Sequence, residues 1–79
     1  MLQVWGLSDE RLLGKLKRVR KFDITPDGRT LVTESDNGTL RLWSLPDMQK
    51  LKVLGRCYGL KSWSISFDGQ LLTARYSWS

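Results

Sequence analysis

The chain has no histidine, one cysteine and two prolines among its 79 residues. Without histidine it lacks the commonest general base and the commonest metal ligand. Cys57 has no partner for a disulfide within the chain and no imidazole to activate it, and no two ligands stand at zinc spacing. No apolar run is long enough to cross a membrane, and Met1 to Leu7 has neither the basic start nor the apolar core of a secretory signal. Glycine-rich phosphate loops are missing too. These absences lead us to expect no catalysis, no metal, no cofactor, no membrane partner and a cytoplasmic, reducing location.

What is present is a balanced composition, 41% apolar and 27% charged, which is too hydrophobic for disorder. Thirteen Lys and Arg face eight Asp and Glu, a formal charge of +5. Six of the cations, Arg11, Lys15, Lys17, Arg18, Arg20 and Lys21, fall together with no anion among them, so the basic character is local. Such a cluster suits a nucleic acid or an acidic partner. It equally suits an outermost strand, where Lys and Arg blunt an exposed edge while their stems cover apolar neighbours.

Periodicity favours strands throughout. Thr39 to Leu45 alternates polar and apolar residues, placing Leu40, Leu42 and the neighbourhood of Trp43 beside a buried face, and Leu2 to Trp5 repeats the pattern. Val19 to Thr25 and Thr30 to Thr33 are rich in β-branched and aromatic residues. Pro26-Asp27-Gly28 presets a bend, and Asn37-Gly38 supplies two residues tolerant of positive φ, as a tight hairpin needs. Asp9 to Leu16 has some helical character but is short and contains Gly14.

The chain also repeats itself at a shift of 41. Leu13, Gly14, Ile24, Asp27, Gly28 and Leu31 fall on Leu54, Gly55, Ile65, Asp68, Gly69 and Leu72, and Phe22 falls on Trp63. Trp5 and Trp43 are 38 apart, and Pro46-Asp47-Met48 accounts for the difference. A period near 40–45 with four short strands is a feature of propeller blades.

Phe22 to Leu31 followed by Ser35 to Leu45 resembles a WD40 repeat; Trp63 to Leu72 is similar to the first half of another, and Leu2 to Leu7 to the third strand of a preceding one. The resemblance implies an all-β propeller segment. Residues 1–16 would supply the third and fourth strands of one blade, 17–57 a complete blade, and 58–79 the first two strands of the next. Its structural positions would be Trp5, Phe22, Ile24, Asp27, Gly28, Asn37, Gly38, Trp43, Trp63, Ile65, Asp68 and Gly69. Trp5, Trp43 and Trp63 are then expected to pack between blades, and Trp78 has no counterpart. The sequence departs from the family's pattern where Trp43-Ser44 and Trp5-Gly6 replace Trp-Asp, where Lys15 and Arg56 replace the histidine after glycine, and where Asn37 replaces the turn aspartate. The family's hydrogen-bonded network should therefore be broken or replaced.

Two blades cannot close a ring, since propellers close with typically 4–8. The resemblance thus implies either association with other copies of the chain or completion of a propeller formed by other chains. In either case the loops joining fourth to first and second to third strands share one face, which groups Lys15, Lys17, Arg18, Asp36, Arg56 and Tyr58 as a candidate partner-binding surface. The chain would serve as a protein–protein interaction scaffold, with binding of nucleic acid or an acidic partner through residues 11–21, or a purely structural ring-building role, as alternatives. Asp27 and Asp68 precede glycines and are expected to brace their own turns, and Asp36-Asn37-Gly38 lacks the spacing of a calcium loop.

Overall fold

The computed structural model describes residues 1–56 and 60–76, which form eight strands in three antiparallel sheets. β1 (Leu2–Gly6) pairs with β2 (Arg11–Leu16). β3 (Val19–Ile24), β4 (Thr30–Ser35), β5 (Thr39–Ser44) and β6 (Lys50–Arg56) form a meander in that order. β7 (Leu60–Ile65) pairs with β8 (Leu72–Tyr76). The expected all-β class holds, and no helix among the described residues is long and apolar enough to cross a membrane. The segment with helical character became β2 because Gly14 and the adjacent edge of β1 favour an extended chain.

The turns repeat at the 41-residue shift. Between β3 and β4 the Thr25 hydroxyl donates to Asp27 (2.6 Å), the Arg29 N–H donates to the same carboxylate (3.0 Å), and the Gly28 N–H closes onto the Thr25 carbonyl (2.8 Å). Between β7 and β8 the same bonds recur: Ser66 to Asp68 (2.6 Å), Gln70 N–H to Asp68 (3.0 Å) and Gly69 N–H to Ser66 (2.9 Å). Gly28 and Gly69 occupy the left-handed region at φ 73° and 76°, which only glycine adopts without strain. At the β4–β5 turn only Gly38 takes positive φ, at 83°. Asn37 contributes differently from the expectation, its carboxamide oxygen accepting from the Ser35 hydroxyl and from the Thr39 N–H (3.2 Å).

Residues directly opposite across an antiparallel pair share a face. The pairs Val32↔Leu42 and Glu34↔Leu40 therefore define one face of the meander, and Leu31↔Trp43 and Thr33↔Arg41 define the other. Val32 and Leu40 pack with Trp63 of β7, supported by Leu42, Ile65 and Leu72, so β7–β8 covers the first face. On the opposite face β2 approaches the β5–β6 turn closely enough that a side chain at Gly14 would sit 3.0 Å from Met48. The meander is thus sandwiched between two half-size sheets, and β4, flanked on both sides, is buried from Leu31 to Glu34. Trp43 faces away from Leu40 and Leu42, because adjacent strand residues alternate.

The sandwich is thinly covered. Among the described residues Leu31, Val32, Leu40 and Trp63 are the buried hydrophobics, while Trp5, Phe22, Ile24, Val53, Leu54, Phe67 and Leu71 are exposed. Trp5 does not pack as expected: it is 51% exposed, since it alternates with the half-buried Leu2 and Val4 and so lies on the face of β1 that no other sheet of the described residues covers. A folded monomer of 9.1 kDa would expose about 4,900 Å², whereas this chain exposes 5857 Å². Its radius of gyration, 12.9 Å, likewise exceeds the roughly 11.6 Å of a compact chain of this length.

Candidate functional site

The β2–β3 loop and the β4–β5 turn meet at one end of the meander. The Asp36 N–H donates to the Arg18 carbonyl (3.0 Å), and Arg18 itself takes φ 60° at the loop apex. Around this junction Lys17, Arg18, Ser35, Asp36, Asn37 and Arg41 line a depression of about 240 Å³. A second hollow of about 210 Å³ continues from it past Leu16, Val19, Thr33 and Trp43. The Trp43 indole N–H forms a 3.0 Å bond to the Thr33 hydroxyl and so fixes its floor.

Three cations surround a single carboxylate here. Among the described residues none of the three forms an ion pair, the pairs there being Arg11–Asp9 and Arg20–Glu34. The depression can therefore attract an anion and offer guanidinium donors in a planar fork. Among the described residues no three His, Cys, Asp or Glu side chains are grouped as they would be to hold a metal ion.

Of the surface residues expected to act together, the fold gathers Lys17, Arg18 and Asp36. Lys15 lies on β2 opposite Gln3, exposed and apart from the depression. Arg56 ends β6 opposite Thr39, at the same end of the meander. Tyr58 lies outside the described residues. Sequence reasoning missed Arg41, Ser35 and Asn37 as lining residues. The strict alternation Leu40-Arg41-Leu42 contained the signal, because a cation between two inward leucines must point to the opposite face.

The six-cation cluster does not survive as one patch. Arg20 pairs with Glu34, and the Lys21 ammonium donates to the Trp63 carbonyl (2.6 Å) while resting 4.4 Å from the Trp63 ring centre. Both serve the joint between the meander and β7–β8, where the Trp63 N–H also donates to Glu34 (2.8 Å). Asp27 and Asp68 are turn braces as expected. The Thr25 hydroxyl, then the Arg29 N–H, holds the Asp27 carboxyl below its ordinary value of 3.8. The Ser66 hydroxyl, then the Gln70 N–H, does the same for Asp68.

No protein-family model matches the chain, and no solved structure matches it.

Proposed function

We propose that the chain is a non-catalytic, WD40-like propeller module that acts as a protein–protein interaction scaffold after closing into a ring with other copies of itself. In this reading β1–β2 are the outer strands of one blade, the meander is a whole blade, and β7–β8 are the inner strands of the next. The observation that carries it is the stacking of two half-sheets on a four-stranded meander whose turn bonds recur at the 41-residue repeat. The Trp43–Thr33 bond supports it further, because WD40 repeats often join the third-strand Trp to a Ser or Thr on the second strand and this chain keeps that pair. The depression around Lys17, Arg18 and Arg41 is the partner-binding surface.

Native mass spectrometry at micromolar concentration tests the ring: one multiple of the chain mass is expected, and a lone 9.1 kDa species overturns it. Charge reversal at Lys17, Arg18 and Arg41 should leave that mass unchanged while lowering recovery of bound protein.

The grouping of three cations about one carboxylate, with no ion pair to any of them among the described residues, favours a second reading, in which the same surface binds a polyanion. Engagement of three phosphates would give a salt slope of about −2.7 in a logarithmic plot. A gel shift at low salt with no retarded nucleic acid excludes it.

A further inference from the structure

We infer that β8 of one copy pairs antiparallel with β1 of the next, in the register that β4 and β5 adopt within the chain; this rests on the ring reading above and specifies its joint. The 41-residue shift lays β8 on β4, and the 38-residue spacing of Trp5 and Trp43 lays β1 on β5. The observed pairs Leu31↔Trp43, Thr33↔Arg41 and Glu34↔Leu40 then become Leu72, Ala74 and Arg75 opposite the partner's Trp5, the partner's Gln3 and the partner's Leu2. One copy cannot make this joint alone. Its β1–β2 and β7–β8 lie on opposite faces of the meander, about 20 Å apart at the usual sheet spacing.

The bare surface matches such a partner. On the face covered by β1–β2, Phe22 and Ile24 of β3 remain 52% and 44% exposed, where the partner's β7–β8 would extend that half-sheet. On the other face Leu54 remains 42% exposed. There a hollow of about 280 Å³, lined by Val32, Leu42, Leu54, Ile65 and Leu72, opens beside β8, where the partner's β1–β2 would lie.

Hydrogen-bonding chemistry points the same way. Within the chain Trp63 is 3% exposed beneath β3–β4, and its N–H meets the carboxylate of Glu34. The repeat places Phe22 at the position of Trp63 and the partner's Arg75 at that of Glu34. A phenyl ring has no N–H to satisfy, so an acceptor there would be idle, whereas a guanidinium can lie on the ring face.

The test uses disulfide trapping on a Cys57→Ser background. A chain with Gln3→Cys mixed with a chain with Ala74→Cys should give covalent dimers on oxidation, neither should crosslink alone, and the double variant should be trapped at the full ring mass. Opposed residues at that spacing suit a disulfide, and a one-residue slip turns the side chains to opposite faces. Val4→Cys mixed with Ala74→Cys should therefore give at least tenfold less product. Self-crosslinking of Gln3→Cys alone, or preferential trapping through Val4→Cys, overturns the register while native mass still reports a ring. A single-chain mass for the unaltered protein overturns the ring itself. Reduced variants are weighed natively beside it, and one that keeps the ring mass yet forms no disulfide counts against the register.

Discussion

Glu34 brings a carboxylate into the most buried stretch of the protein, 4% exposed, at the joint between the meander and β7–β8. It is tolerated because Trp63 and Arg20 both donate to it. The two donors should differ in weight. Arg20 is 56% exposed at its side chain, so water can replace it, whereas Trp63 is 3% exposed and its N–H meets Glu34 away from water. Trp63→Phe keeps the ring but strands a buried acceptor, and should lower stability by about 1.5–3 kcal/mol in urea melts. Glu34→Gln keeps an acceptor for Trp63 and should cost less, within about 1 kcal/mol. Equal losses from the two would show that charge, not the indole bond, holds this joint. The turn aspartates act through protonation instead. Both folded carboxyls sit below 3.8, so each contributes stability that is present above that value and lost as pH falls through the lower folded one. Asp27→Asn with Asp68→Asn keeps the accepting oxygens and should flatten the acid limb of a stability–pH curve below pH 3.8. An unchanged limb would mean that other carboxylates carry it.

At the level of elements, the two positive-φ glycines are equivalent by repeat but not by surroundings. A methyl group at Gly28 meets nothing within 4 Å, whereas at Gly69 it meets Pro26 Cδ at 3.1 Å and Thr25 at 3.5 Å. Gly28→Ala should cost about 1–2 kcal/mol from backbone strain alone, and Gly69→Ala more, because two neighbouring turns must also separate. Thermal melts that rank Gly28→Ala as the worse would contradict this packing. Such differences set the limit on what could be read from the sequence. Strands, turns and the all-β class were written in alternation and in Asp-Gly and Asn-Gly dipeptides, which act locally. Trp63 is buried as its repeat position led us to expect, but the exposure of Trp5 was not legible, since β1 resembles β5 in sequence yet presents Trp5 on a face that no other described sheet covers. The candidate site was half readable: Lys17, Arg18 and Asp36 sit on loops whose meeting follows from strand order, but Arg41 reaches it from inside β5. The cation cluster misled because Arg20 and Lys21 find partners 14 and 42 residues away, beyond any local pattern.

For the whole molecule, the excess of exposed surface, roughly 1,000 Å² over a monomer of this mass, is comparable to what a specific interface buries, about 800 Å² per partner. Much of it is apolar and lies where each half-sheet stops short of covering the meander: Phe22 and Ile24 on one face, Leu54 on the other. With four buried hydrophobic side chains among the described residues, the protein has little core of its own. Association and folding should consequently be linked, and stability should depend on protein concentration. Under that linkage a hundredfold increase in a partner already above its dissociation constant contributes about 2.7 kcal/mol, so the thermal midpoint should rise by roughly 10–20 °C over such a range. Phe22→Lys should abolish most of that dependence, because it places an ammonium on the face that a second copy would cover, while leaving the buried contacts of Val32, Leu40 and Trp63 untouched. Calorimetric scans across the concentration series check both. A midpoint independent of concentration, with Phe22→Lys melting where the unaltered chain does, would mean that the sandwich stands alone and that its exposed apolar halves are not joints between copies.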